Sequence, residues 1–374
     1  MNFKKVWWII PLLLALAGIG LGAYSLGKEN AEKKLSAAQE FNVMINRAEL
    51  ETLKLVDGPI YVFGHKSPDS DTVCSSIVYA DLLKQLGYDA KAVVLGKISD
   101  ETAFILRTAG VSEPELLEDA SGKNVVLIDH SEYTQSADGL QDANIITIVD
   151  HHADGSVMTG NRLIFDARPV GGTATIVCIR ALNYGLEINK AMATLLLGAI
   201  LSDTSNMKSE HTTSADRAAI EELSKIAEIS DTQAFYQEIF KASISYDGMT
   251  DMEILESDVR DYESAGRKFS IGCINAYDED TARDLAERMK VLMQDLVSSR
   301  GVEMAFAQIS IFHDDISMNY VVPSDETAAE VLKAAFPDKN AEFDGTSYIF
   351  TPGMPRKGGY VPAISDVLAS HPGE

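Results

Sequence analysis

The sequence predicts an α/β protein. A parallel sheet with helices on both faces is followed by a smaller α/β domain, and one N-terminal apolar helix precedes them. Three observations carry this. From Pro59 onward, short runs rich in Val and Ile alternate with longer helical stretches, the pattern of βαβ units. Three of the runs end in clusters of histidine and aspartate: IYVFG leads into HKSPDSD, NVVLI into DHS and IITIV into DHH. After about Asp258 the texture changes to a second set of strand and helix signals.

In chain order, the first element is Val6–Gly27, VWWIIPLLLALAGIGLGAYSLG, apolar almost without interruption. About 20 such residues span a bilayer as a helix. Trp7 and Trp8 suit one interface and Tyr24 the other. Residues 1–27 are therefore read as a single-pass membrane anchor. The rival is a cleaved signal peptide, but no convincing small-x-small site precedes the charged KENAEKK. Lysines flank both ends, and the short N-terminal tail tilts the balance towards an extracytoplasmic catalytic part. Residues 28–56, rich in Ala, Glu, Lys and Leu, read as a helical stalk.

The first domain is expected over residues 57–257. Strand IYVFG precedes a helix over Thr72–Leu86, strand AKAVVLG a helix over Asp100–Ala109, and strands NVVLID and IITIVD follow. PVGGTATIVCIRAL is a glycine-rich turn opening a helix, KAMATLLLGAILSDT is a second apolar helix, and polar helical residues 214–255 lead out. The second domain, 258–374, has strands RKFSIGCINAY, EMAFAQISIF and SMNYVV, an amphipathic helix from Asp278, a helix DETAAEVLKAAF, and a closing loop TSYIFTPGMPRKGG.

Composition narrows the function. Fifty-six acidic against 32 basic residues give a net charge of −24, which repels nucleic-acid backbones, so no nucleic-acid partner is expected. A small anionic substrate stays admissible, because bound cations reverse the local field. Cys74, Cys178 and Cys273 are widely spaced in apolar surroundings and read as core residues.

Ligands gather beyond the carboxyl ends of the strands in an open parallel sheet, so the three clusters should converge. His65, Asp69 and Asp71 sit in a strand-to-helix loop fixed as non-helical by Pro68; the same aspartates also suit helix capping. Asp129 ends a buried strand, where a carboxylate is costly without a cation or hydrogen bonds. His151 and His152 point different ways, so one can ligate metal and the other face substrate, with Asp150 orienting an imidazole. Asp203 closes an apolar helix, an unfavourable place for an acid unless it serves a site. Four carboxylates and two imidazoles (His65, Asp69, Asp71, Asp129, His151, Asp203) suit two divalent cations sharing a carboxylate. Manganese or cobalt fits this donor mix better than zinc, and magnesium prefers fewer nitrogens. Hydrolytic phosphoryl transfer is the natural chemistry of such a pair. Arg356 and Lys357, in GMPRKGGYVP, suit a polyanion or stand as an ordinary basic turn.

From Pro59 to Leu368 the chain resembles the family II inorganic pyrophosphatases of the DHH phosphoesterase superfamily. GHKSPDSD resembles their GHxNPDTD and DHS their DHN; DHH stands intact, and PVGGTATI, ILSDT and RKGGYVPAISDVL also match. The resemblance implies that His65, Asp69 and Asp129 hold one manganese, and that Asp71, Asp129, His151 and Asp203 hold the other, with Asp129 bridging. It implies that His152 contacts phosphate or assists proton transfer to the leaving group. Arg356 and Lys357 of the second domain would close over the other phosphate, and Arg260 stands where the family has a lysine. Ser67, Ser131, Ala153 and the Gly358–Gly359 pair depart from the family pattern in the parts that read the substrate.

The expected activity is hydrolysis of pyrophosphate to two phosphates by a membrane-anchored enzyme, with a homodimer admitted. The alternative is a phosphodiesterase for short oligonucleotides or cyclic dinucleotides, for which Tyr348, Phe350 and Tyr360 are the nearby stacking candidates. A third reading, a non-catalytic membrane-tethered sensor of pyrophosphate or metal, gives no reason to keep all six ligands.

Overall fold

The structure is a computed structural model and describes residues 34–51, 53–153, 155–313, 316–337 and 341–370. The chain divides into two compact units, Met1–Ile239 and Phe240–Glu374. The expected membrane anchor, Val6–Gly27, lies outside the described residues. Among the described residues no helix is long and apolar enough to cross a membrane.

The first unit holds a six-stranded sheet of β1 (Ile60–Phe63), β2 (Ala90–Val94), β3 (Glu115–Leu116), β4 (Asn124–Ile128), β5 (Asn144–Asp150) and β6 (Ile164–Ala167). Its order is β3-β2-β1-β4-β5-β6, and every neighbouring pair is parallel. Going outward from β1, the chain first fills one side of the sheet and then the other, so the order reverses between β1 and β4. That reversal opens a crevice at the carboxyl ends of the strands, where His65, Asp129 and His151 follow β1, β4 and β5.

The helices of this unit are α1 (residues 34–50), α2 (Ser70–Gln85), α3 (Asp100–Ala109), α4 (Thr173–Tyr184), α5 (Lys190–Asp203), α6 (Ser214–Ala227) and, up to Ile239, α7 (Thr232–Ser243), whose last residues are counted with the second unit. Helices were expected on both faces of the sheet. Instead α2 to α7 share one core with Ile60, Val62, Val126, Ile128 and Val149. The opposite face, with Phe63, Val125, Leu127 and Ile148, is covered by Ala120, Ala137 and Leu140. The β4–β5 connection, which a right-handed crossover sends to that face, contains only two single-turn 3-10 helices, Tyr133–Gln135 and Leu140–Asp142. The second half of α1 lies on the end of α4: Arg47 Nε donates to the Tyr184 carbonyl at 2.7 Å and Asn42 Nδ2 to Asn183 Oδ1 at 3.2 Å. Residues 34–41 of α1 are exposed.

The second unit has α8 (Asp251–Glu256), β7 (Val259–Ser264), β8 (Arg267–Ala276), α9 (Glu279–Arg300), β9 (Met304–His313), β10 (Ile316–Pro323), α10 (Glu326–Ala335), β11 (Glu342–Phe343), β12 (Tyr348–Phe350) and α11 (Val361–Ser370). The sheet order is β11-β12-β10-β9-β8-β7, with β8 and β9 parallel across the α9 crossover and the other pairs antiparallel. Helix α9 packs on one face and α10 and α11 on the other. Ile254 and Leu255 of α8 are buried in this unit's core. Tyr348, Phe350 and Tyr360, candidates for base stacking, are buried in it too.

Candidate metal centre

The clusters converge because each sits on a constrained strand end. After β1, Gly64 lets the chain pass against α2: a Cβ there would lie 2.3 Å from Thr72 Cγ2. Asp69 then caps α2, its Oδ1 accepting the Thr72 N–H at 2.9 Å, while its Oδ2 lies 3.3 Å from His65 Nε2. Capping and site-facing roles are thus divided between two oxygens of one carboxylate. After β4, Asp129 adopts a left-handed backbone, φ 63°, which aspartate tolerates better than most residues. Its N–H donates to the Val149 carbonyl at 2.8 Å, which ties this turn to β5.

Asp129 is the hub. Its Oδ2 accepts the Thr72 hydroxyl at 2.8 Å and its Oδ1 the Thr173 hydroxyl at 2.9 Å. Each oxygen keeps further acceptor capacity and faces a different imidazole: His65 Nε2 is 3.5 Å from Oδ2, and His151 Nε2 is 3.3 Å from Oδ1. His151 Nε2 also lies 3.5 Å from Asp203 Oδ2. His65, Asp69 and Asp129 form one group with donor atoms within 4.8 Å of one another, and Asp71, His151 and Asp203 form another.

Asp71 joins two helix starts. It is fully buried at the start of α2, and its oxygens accept the N–H groups of Thr173 at 2.6 Å and Ala174 at 2.8 Å, at the start of α4. Orphan N–H groups and the helix dipole make that a natural seat for an anion. The turn before it is pinned by Asp216, which accepts from the Gly171 N–H at 2.9 Å and the Thr175 hydroxyl at 2.6 Å.

The two histidines of DHH are fixed differently. His151 Nδ1 faces the Val170 carbonyl at 3.1 Å, which turns Nε2 into the cluster. His152 Nδ1 lies 3.0 Å from Asp150 Oδ1, which also accepts the His152 main-chain N–H at 3.0 Å. His152 and Asp150 border a pocket of about 280 Å³ with His65, Asp129, Ser131 and Ala153.

Electrostatics argue for a cation here. Burial, with Asp129 nearby, pushes Asp71 up to about 8. Burial, with Asp71 and Asp129, pushes Asp203 up to about 9. Burial would lower His65 and His151, but the facing carboxylates outweigh it and raise each to about 10. Burial would raise Asp129, yet the two imidazoles hold it well below the usual carboxylate range. Like charges are thus crowded in a low-dielectric site, and protons occupy positions that a divalent cation fills better. His151 Nε2 is buried without a hydrogen-bond partner, its 3.3 Å approach to Asp129 lacking hydrogen-bond alignment. An orphaned imidazole nitrogen facing carboxylates is the donor set of a metal site.

Arg260, Arg356 and Lys357 belong to the second unit. Arg356 is held by Asp258: Nη1 donates to its carbonyl at 2.6 Å and Nη2 to its Oδ1 at 3.0 Å. Arg260 Nε lies 3.4 Å from the same Oδ1, and Lys357 is exposed. Sequence reasoning missed Thr72, Thr173 and Asp216. The last had a local signal, since Thr213 and Asp216 form a reciprocal capping box at the start of α6.

Residues 59–200 match the DHH family, N-terminal domain, and residues 237–366 the DHHA2 domain. A manganese-dependent inorganic pyrophosphatase of Methanothrix thermoacetophila is 39% identical over 63% of this chain and 75% of its own length. One from Methanocaldococcus jannaschii is 34% identical over 81% of this chain and 97% of its own. A crystal structure of a Methanococcus jannaschii protein described as a family II inorganic pyrophosphatase aligns with a TM-score of 0.51 and 32% identity, covering 82% of this chain and 99% of that one. With the DHH–DHHA2 pair in order and such relatives matched over most of their length, the chain belongs to the manganese-dependent, family II inorganic pyrophosphatases.

Proposed function

We propose that the chain hydrolyses inorganic pyrophosphate to two phosphates with two manganese ions, tethered to a membrane by residues Val6–Gly27. The observation that carries the chemistry is the division of Asp129 between two groups of donors, one oxygen towards His65 and the other towards His151. His65, Asp69 and Asp129 hold one cation; Asp71, Asp129, His151 and Asp203 hold the other. Cobalt or magnesium are the alternative occupants. Bound, such a pair supplies acid strength to water and neutralises the charge of phosphoryl oxygens.

The chain's own residues do the rest. Thr72 and Thr173 fix both oxygens of Asp129 by hydroxyl donation, and the start of α4 fixes Asp71. His152 keeps Nδ1 on Asp150, which raises its affinity for a proton and leaves Nε2 to hand that proton to the leaving phosphate. Arg260, Arg356 and Lys357 neutralise phosphate charge. The metal-binding role falls to residues 57–257 and the phosphate-reading role to 258–374. Of the expected helical stalk, residues 28–56, the described residues are helical only over 34–50 and exposed over 34–41; Arg47, Lys54 and Val56 bond to the first unit, so that end belongs to the body.

The test is a phosphate-release panel on the purified protein: pyrophosphate, tripolyphosphate and a dinucleotide, each with manganese and with magnesium. Pyrophosphate with manganese should give the highest kcat/KM. Faster cleavage of the dinucleotide would replace this reading with a phosphodiesterase, and tight pyrophosphate binding without turnover would replace it with a sensor. For the anchor, recovery of the full chain in the membrane fraction and of residues 57–374 in the supernatant is expected; recovery of both in the supernatant contradicts it.

A further inference from the structure

We infer that Asn319 is the positioning residue that sets the Arg356–Lys357 segment, and so the phosphate-binding cations of the second unit; this rests on the pyrophosphate reading above. Asn319 lies in β10 and is fully buried. A buried amide in a strand is costly unless all its bonds are made, and here they are. Oδ1 accepts the Met354 N–H at 2.5 Å and the Tyr360 hydroxyl at 2.9 Å. Nδ2 donates to Ser310 Oγ at 3.0 Å and to the Met318 carbonyl at 3.1 Å. Four bonds exhaust an amide, and the two on Oδ1 go to residues on either side of Arg356–Lys357.

The clasp is built for close approach. A Cβ on Gly353 would lie 3.0 Å from both amide atoms of Asn319. Gln308, also buried, takes the other main-chain group of Met354, its Nε2 donating to the Met354 carbonyl at 3.0 Å and to Ser310 Oγ at 3.1 Å. Between the clasped points lie Pro355 to Gly359, ending in two glycines. Arg356–Tyr360 form a single π-helical turn directly before α11, with the Gly359 N–H donating to the Pro355 carbonyl at 2.8 Å, so the turn is carried as a unit and the clasp on Met354 and Tyr360 seats it. Arg356 has a separate anchor in Asp258. Lys357, exposed, depends on the clasp.

The experiment uses the full chain with manganese. Pyrophosphate kinetics, melting temperature and amide hydrogen exchange are measured for Asn319→Ala and Tyr360→Phe, the latter keeping the buried ring and losing one bond of the clasp. Asn319→Ala should raise KM about tenfold with little change in kcat, Tyr360→Phe about threefold, and the Met354 amide should exchange faster in Asn319→Ala. In a Lys357→Ala background Asn319→Ala should add less than about twofold, because what it positions is gone. Unchanged KM or unchanged Met354 exchange in a folded variant overturns the inference, as does a full tenfold effect persisting without Lys357. Should Asn319→Ala not fold, an unchanged KM in Tyr360→Phe overturns it. Failure of the underlying reading looks different: wild-type protein would not turn over pyrophosphate, or Lys357→Ala would be silent while Asn319→Ala still frees the Met354 amide.

Discussion

The carboxylate of Asp71, at the start of α2, accepts the main-chain N–H of Ala174, at the start of α4, at 2.8 Å. Two helices from distant parts of the chain are thereby locked to one buried acid, and Asp129 and Asp203 are brought close to it. The site is assembled around negative charge that has no solvent to disperse it. That is unfavourable without a cation and favourable with one.

Metal and pH should therefore act together on stability. Asp71, Asp203, His65 and His151 all have folded-state pKa values raised above their ordinary ones, to about 8, 9, 10 and 10. Between ordinary and raised values the metal-free folded form binds more protons than the unfolded chain, so its stability falls as pH rises. The melting temperature of metal-free protein should drop from about pH 6 to about pH 9, and saturating manganese should flatten that slope. Calorimetry at three pH values, with and without manganese, checks both. A metal-free melting temperature rising over this window would contradict the assignment.

Asp203→Asn should separate stability from activity. The substitution removes a carboxylate that burial and its acidic neighbours disfavour in ionised form. The metal-free variant should melt about 2–4 °C higher than the parent at about pH 8. It should lose most manganese-induced stabilisation and at least about a hundredfold in kcat. Thermal scans with and without manganese, together with turnover, read this out.

Asp150→Asn leaves the proposed metal ligands in place and alters what orients His152. Manganese content should be unchanged, kcat should fall about tenfold to a hundredfold, and the alkaline limb of the pH–rate profile should move to lower pH, because His152 must be protonated to serve the leaving phosphate and Asp150 raises its proton affinity. An unshifted profile would remove His152 from proton transfer.

Asp216→Ala tests the turn that presents the start of α4. It abolishes acceptors for Gly171, Thr175 and Thr213 at once. Leaving those groups unpaired should cost about 2–4 kcal/mol in denaturant unfolding, and manganese affinity should fall because Thr173 and Asp71 share that turn.

Much of this was legible in the sequence because the site follows strand ends. β1, β4 and β5 are short apolar runs buried along most of their length, and the histidines and aspartates gathered at or just beyond their ends, His65, Asp129 and His151 among them, face the crevice. The edges of both sheets were harder to read. β6, IFDA, alternates between half-buried and exposed positions. β7, VRDYES, carries Arg260 among further charges and is likewise poorly buried, so neither stands out as a strand. Thr72 and Thr173 look like ordinary helix-start residues, and their second role depends on Asp129 reaching both. The clasp of Asn319 was invisible for the same reason: its bonds to Met354 and Tyr360 cross 35 and 41 residues.

The most direct test of the central claim is phosphate release from pyrophosphate in the presence of manganese, comparing the parent chain with Asp129→Ala. If one carboxylate serves two cations, the parent should release two phosphates per pyrophosphate and the variant should lose at least about a thousandfold in kcat/KM. Turnover undiminished by the loss of Asp129 would contradict the account.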